Sequence, residues 1–257
     1  MDGVDYDQRL HAVYAHGREL PSSTVALWMT TFASHCRSER PLSVLDLGCG
    51  TGRFTPALAD TFGGPVYGVE PSERMRRIAE HTAGHSRVAY LDGSAHHIPL
   101  ADRSCDLVLM FLVLHHVADQ PQAAAEIARV LRPGGRVLIR STFSDRMPAL
   151  RWHDYFARAA EVERQLFPSV DQVVDLFAGV GLHQRALRAV SIRLAESLAE
   201  HAERLHLRAI STFEYLTEEE TIRGFVALDE AVAQETTPRP VETTSDLLVL
   251  ELADAGN

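Results

Sequence analysis

Residues 41–62 read PLSVLDLGCGTGRFTPALADTF, and the order of residue types in this stretch decides the fold. Val44-Leu45-Asp46-Leu47 has the length and apolar character of a buried strand. It gives way to Gly48-Cys49-Gly50-Thr51-Gly52, whose glycines permit positive φ and let a ligand approach the backbone. The residues that follow, TPALADTF, read as a helix. A helix N-terminus just beyond a strand favours a negative group such as a pyrophosphate or a carboxylate.

Spacing separates those two ligands. The dinucleotide fingerprint G-x-G-x-x-G needs a glycine where Arg53 stands, and the third glycine comes one residue early at Gly52. A phosphate-binding G-x-x-x-x-G-K-[ST] loop is absent, since the chain contains no lysine. An acid at the strand end, Asp46, is ill placed beside a pyrophosphate and suits a ligand with an ammonium and a sulfonium. Glu70 closes the next strand, 20 residues after Gly50, where a carboxylate can accept hydrogen bonds from ribose hydroxyls.

Outward from the turn, the pattern of strand and helix repeats. PVYGVEPSERMRRIAEHT gives a second strand and helix, RVAYLDGSAHHIPLADRSC a third strand and a loop, and CDLVLMFLVLHHVAD a fourth strand. QPQAAAEIARVLRPGG is a helix stopped by Pro133-Gly134-Gly135, and RVLIRST follows as a strand. This alternation predicts a mostly parallel sheet with helices on both faces. Beyond Thr142 we expect an aromatic-rich helical segment over 147–167, a core helix at 170–178 and a strand near 185–194. Helices at 196–210 and 217–235, a loop ETTPRPVETT and a last strand DLLVLEL complete the chain. Residues 1–257 read as one domain: N-terminal helices over 1–40, a cofactor-binding core over 41–146, and cap segments at 147–167 and 196–235.

A formal net charge of −10 disfavours a nucleic-acid partner, and 46% hydrophobic residues suffice for an ordinary core. Cys36, Cys49 and Cys105 form no C-x-x-C pair, which fits a reducing compartment without a thiolate zinc site. With no apolar run long enough to span a bilayer, the expectation is a cytoplasmic protein, monomer or homodimer, away from membranes.

Five stretches in order, VLDLGCGTG, VYGVEPS, GSAHHIPLADRSCDLV, LHHV and RVLRPGGRVLI, resemble the class I S-adenosylmethionine-dependent methyltransferases of the broad small-molecule (type 11) group. The resemblance covers residues 42–142. It implies a doubly wound α/β fold with a mostly parallel seven-stranded sheet and a helical cap inserted late in the chain. S-adenosyl-L-methionine is the implied cofactor. Gly48, Gly50 and Gly52 would line its methionine part, with Asp46 near the amino group and Glu70 on the ribose. Ser94, Ala95 and Phe111 would complete the cleft, and Arg18 would reach the cofactor carboxylate with Tyr14 packing nearby; a solvated helix charge is the competing role for Arg18. One departure is Gly93-Ser94-Ala95, where relatives often carry G-D-A and so a stronger acceptor for the adenine amino group.

The implied reaction is methyl transfer to a small-molecule acceptor, plausibly in specialised metabolism. The alternatives are a cyclase-like protein that keeps the cofactor without moving its methyl group, and a methyltransferase acting on a protein. The base-methylating motif N-P-P-[YF] cannot occur, because Asn257 is the sole asparagine. His115 and His116, after the fourth strand, are candidate bases; packing or capping is the competing role. His96 and His97 read as loop-packing, and the paired histidines lack metal-ligand spacing, so no metal is expected. Trp152 and Tyr155 are candidate walls for the acceptor. Arg204, His206, Arg208, Ser211 and Tyr215 would either meet an acidic substrate or form a solvated face.

Overall fold

In the computed structural model, which describes residues 20–253, the strand before the glycine turn is β1 (Leu42–Leu47), buried at every position. Its parallel neighbours are β2 (Gly63–Glu70) and β4 (Cys105–Phe111), and β3 (Val88–Asp92) adds to β2 in parallel. β5 (Leu131–Ser141) lies parallel to β4, and β7 (Val241–Leu252) inserts antiparallel between β5 and β6 (Leu182–Ala195). The order is β3-β2-β1-β4-β5-β7-β6, with the reversal of strand order at β1 and β4. Such a switch point opens a crevice at the carboxyl ends of the strands.

Side chains alternate between the two faces of the sheet even where the strands read as unbroken apolar runs. Val108 and Met110, Val137 and Ile139, and Leu248 and Leu250 share one core. It is covered by α4 (Gln120–Val130) and α6 (Val170–Ala178). Leu107 and Leu109, Leu138, and Leu247 and Val249 face the other way, onto α1 (Ser22–Ser34) and α2 (Thr55–Phe62). α3 (Glu73–Thr82) follows β2, and Ser72 caps it by accepting from the Met75 amide.

The cap has a core of its own. Trp152 and Phe156 pack with α5 (Ala159–Leu166), α7 (Leu198–His206), Phe213 and α8 (Glu218–Gln234). Gly224 lets α8 lie directly on the Phe156 ring, since a Cβ there would sit 2.3 Å from a ring carbon. Two expectations need correction. The segment 147–167 is not one helix: a 3-10 turn (Arg151–Asp154) precedes α5, turning Trp152 and Phe156 inward together. The second half of ETTPRPVETT is strand, because Val241 and Thr243 pair with Ala195 and Ile192 of the long β6. Tertiary pairing there outweighs the turn signal of Pro238-Arg239-Pro240. Among the described residues no helix is long and apolar enough to cross a membrane.

Candidate functional site

At the end of β1, Gly48, Gly50 and Gly52 take φ values of 71°, 56° and 77°, a left-handed run that other residues resist. The turn is tied to β2 on both sides. The Gly48 amide donates to the Val69 carbonyl at 2.8 Å, and the Gly50 amide donates to Glu70 Oε2 at 3.0 Å. Glu70 Oε1 accepts from the Ser72 amide at 3.0 Å, so this buried carboxyl group braces the turn and the start of α3 together.

Asp46 and Gly52 sit elsewhere than expected. Asp46 lies beneath the turn, 3% exposed, and accepts from Thr55 Oγ1 of α2 at 2.7 Å. Burial pushes its carboxyl up to about 6, opposed by the Thr55 hydrogen bond and Arg53 and reinforced by Glu70. Gly52 packs under β3: a Cβ there would lie 2.4 Å from the Tyr90 hydroxyl. Neither residue lines the cleft in front of the turn.

Gly48, Gly50, Glu70, Ser94, Ala95 and Phe111 do line that cleft, a space of about 940 Å³ including its open mouth. Met75, from the apolar face of α3, joins them. The Ser94 hydroxyl accepts from the His96 amide at 3.3 Å, and Asp92 turns away to pair with Arg76 at 2.8 Å. His96 accepts from the Asp119 amide at 3.1 Å, a loop-bracing contact. Tyr14 and Arg18 lie outside the described residues. A left-handed backbone cradle, a buried acid braced at the end of β2 and an apolar floor that includes Met75 fit an adenosine-type sulfonium cofactor.

A second space, about 1200 Å³ including its mouth, lies between the sheet edge and the cap. It shares Phe111, Leu112 and His116 with the first. Leu112 holds φ at 59°, a conformation that costs a non-glycine residue about 1 kcal/mol and that clusters at functional sites. Its amide donates to the Arg140 carbonyl at 2.8 Å, which fixes the backbone there. His115 lines the cap cavity, with its ring 3.9 Å from that of His116 and 4.2 Å from that of Phe167. The guanidinium groups of Arg140 and Arg53 lie 4.7 and 5.3 Å from the Phe111 ring centre.

Trp152 lines this cavity, whereas Tyr155 packs against the apolar cluster of the cap. Arg204 and Ser211 also reach it, but His206 pairs with Asp229, Arg208 pairs with Glu218, and Tyr215 is not part of its wall. Sequence reasoning missed Glu163, His201 and Thr212, all buried and all in the wall. The available signal was polarity inside an apolar stripe. Glu163 follows Ala159 and Val162, and His201 lies among Leu198, Ala202 and Leu205. Burial, with Arg204 and Arg151 adding, pushes the His201 imidazole down to about 4. Among the described residues no group of three or more His, Cys, Asp or Glu side chains converges as a metal site.

A doubly wound sheet with an antiparallel seventh strand inserted between the fifth and the sixth, a glycine turn after β1 and an acid ending β2 define a nucleoside-cofactor fold of the methyltransferase type. The chain belongs to the class I S-adenosylmethionine-dependent methyltransferases. A family model described as a methyltransferase domain matches residues 45–139. An uncharacterized methyltransferase of Geobacillus thermodenitrificans is 31% identical over 147 residues, 54% of this chain and 67% of that one. A demethylmenaquinone methyltransferase of Lactiplantibacillus plantarum is 36% identical over 132 residues, 48% of this chain. The match spans 56% of that relative's length. Among solved structures, a protein of Anabaena variabilis provisionally named a methyltransferase of an antibiotic biosynthesis pathway shares the fold. Its TM-score is 0.70 at 20% identity, covering 89% of this chain and 99% of that one.

Proposed function

We propose that the chain transfers the methyl group of S-adenosylmethionine to a small organic acceptor seated in the cap cavity. The observation that carries this reading is the wall of Phe111, Leu112 and His116, shared by the cofactor cleft and the cap cavity. When bound, the cofactor supplies a methyl group on a sulfonium that is already a good leaving group. The protein's part is then to hold two molecules in line and keep water out.

Glu70 accepts from the ribose hydroxyls, the backbone of Gly48 and Gly50 receives the methionine part, and Ser94 and Ala95 border the adenine. Asp46 acts from below, by charge and by holding Thr55 against the turn. Phe111 and Leu112 screen the boundary between the two spaces. Where the acceptor is a hydroxyl, His116 or its neighbour His115 takes the proton, being the titratable groups at that boundary. The free thiols of Cys36, Cys49 and Cys105 agree with a reducing cytoplasm. A cavity walled by cap side chains suits an acceptor from specialised metabolism.

The test is calorimetric titration of S-adenosylmethionine and S-adenosylhomocysteine into wild type and Glu70→Ala. Losing hydrogen bonds to a charged acceptor, worth about 3 kcal/mol, predicts about 100-fold weaker binding in the variant. Folded wild type that binds neither compound would overturn the reading. With binding in hand, mass spectrometry after incubation with candidate acceptors should show S-adenosylhomocysteine, whereas methylthioadenosine would mean attack on the aminopropyl chain.

A further inference from the structure

We infer that Glu163 anchors the acceptor by accepting a hydrogen bond from a hydroxyl group, in a cavity wall that also carries the unpartnered His201. The cap cavity then selects a neutral, largely apolar molecule with a hydroxyl in addition to its methyl-accepting atom. This rests on the cavity being the acceptor site, as proposed above.

Glu163 is 4% exposed and lies in the cavity wall. Its Oε1 accepts from Thr212 Oγ1 at 3.0 Å, and its Oε2 lies 3.2 Å from His153 Nε2. Those contacts lock the carboxyl group from two sides and leave about two of its acceptor sites open. The wall also carries Trp152, Phe167, Leu205 and Ile210. Keeping a carboxylate in such surroundings with acceptor capacity unfilled is unfavourable. A ligand donor removes that penalty.

His201 is an independent second observation. It is 7% exposed, lines the same cavity, and its Nε2 is buried without a hydrogen-bond partner. Its lowered pKa keeps the ring neutral, so it offers one donor and one acceptor. Neither Glu163 nor His201 lines the cofactor cleft, so a ligand group that meets them is not held at the wall of Phe111, Leu112 and His116 that the two spaces share.

Charge narrows the ligand class further. A cationic acceptor would share the cavity with the guanidinium groups of Arg53, Arg140 and Arg204. An anionic group there would face Glu163 itself. A neutral donor meets neither repulsion, and a hydroxyl is a compact neutral group that can donate to Glu163.

The experiment uses matched probes, 4-hydroxybiphenyl and 4,4′-dihydroxybiphenyl, titrated into protein saturated with S-adenosylhomocysteine. Wild type should bind the diol about tenfold more tightly, the size expected of one charge-assisted hydrogen bond. Glu163→Gln should cut that preference to about twofold while leaving the monophenol and S-adenosylhomocysteine affinities unchanged. A carboxyl group that only staples the cap would not move this ratio. Should Glu163→Gln fail to fold, His201→Phe leaves the Glu163 contacts in place and should lower the preference about threefold. Equal affinities in wild type, no binding of either probe, or an unchanged preference in the variants would overturn the inference. Failure of S-adenosylhomocysteine to bind at all would instead strike the cofactor reading.

Discussion

The two spaces that meet at Phe111 are built by different means. The cofactor cleft is lined by residues between Leu47 and Val117, largely the ends of β1, β2 and β4 and the turns that follow them. The cap cavity draws on residues from Leu20 to Ser245, side chains carried by strands, helices and 3-10 turns far apart in sequence. The first is held by backbone geometry: left-handed glycines, amide-to-Glu70 bonds and a close approach to Tyr90. The second is held by packing, with polar side chains such as Glu163, His201 and Thr212 buried in its wall. A backbone-built site tolerates almost no change in its turn, and a packing-built site is free to change its ligand by exchanging side chains.

The largest expected effect tests the first half of that contrast. Gly52→Ala forces a Cβ into a left-handed position and against Tyr90 and Ala83. Backbone strain of 1–2 kcal/mol and overpacking of 1–3 kcal/mol give a loss of about 3 kcal/mol. Urea denaturation should show it, and S-adenosylhomocysteine binding should weaken with it. Adding Tyr90→Phe removes the nearest colliding atom and should restore part of the stability, although the hydroxyl's 2.8 Å bond to the Ala83 carbonyl is lost. A Gly52→Ala protein as stable as wild type would remove the distinction between the two spaces.

The same contrast explains what could be read from the chain. The glycine turn, Glu70 and the alternation of strands and helices are short-range signals, so β1, β2, β4 and a mostly parallel sheet covered on both faces follow from spacing, whereas the doubly wound order came with the resemblance. Ser94, Ala95 and Phe111 came with the resemblance and lie in the same cleft. Asp46 was legible as an acid at a strand end but not as a group buried under the turn, because Thr55 reaches it only once α2 has packed. In the cap, Trp152 and Tyr155 are indistinguishable by type. Both belong to the apolar cluster of the cap, and only the 3-10 turn decides that Trp152 also reaches the cavity wall while Tyr155 does not. Glu163 and His201 needed three elements to come together before either had a role to show.

Acid should separate the two regions in the other direction. The imidazole of His201 is pushed from an ordinary 6.5 down to about 4, mainly by burial. A lowered histidine pKa means the unfolded chain binds the proton first. Stability from the neutral ring is therefore complete above pH 6.5 and is lost as pH falls toward 4. The shift corresponds to about 3 kcal/mol. His201→Gln should flatten the fall in melting temperature between pH 6.5 and pH 4, at some cost in packing at neutral pH. An acid limb as steep in the variant as in wild type would show that the cap wall does not carry this titration.

Asp46 has the opposite sign and a somewhat smaller effect. Its folded pKa of about 6 lies above the ordinary 3.8, so the folded protein keeps a proton that the unfolded chain releases. The favourable contribution is complete below pH 3.8 and disappears as pH rises through 6, leaving a buried charge at neutrality. The cost at pH 7.5 is about 2–3 kcal/mol. Asp46→Asn keeps an oxygen for Thr55 Oγ1 and never ionises, so it should stabilise the protein at pH 7.5 and lose that advantage below pH 4. Comparing denaturation midpoints of the two proteins across that range checks it. If the charge is kept because it attracts the cofactor's ammonium group, the stabler variant should bind S-adenosylhomocysteine more weakly at pH 7.5, with the difference closing as wild-type Asp46 protonates. Equal binding at pH 7.5 would leave Asp46 as a strut between β1 and α2, and would put every cofactor contact of this part of the cleft on the backbone and Glu70.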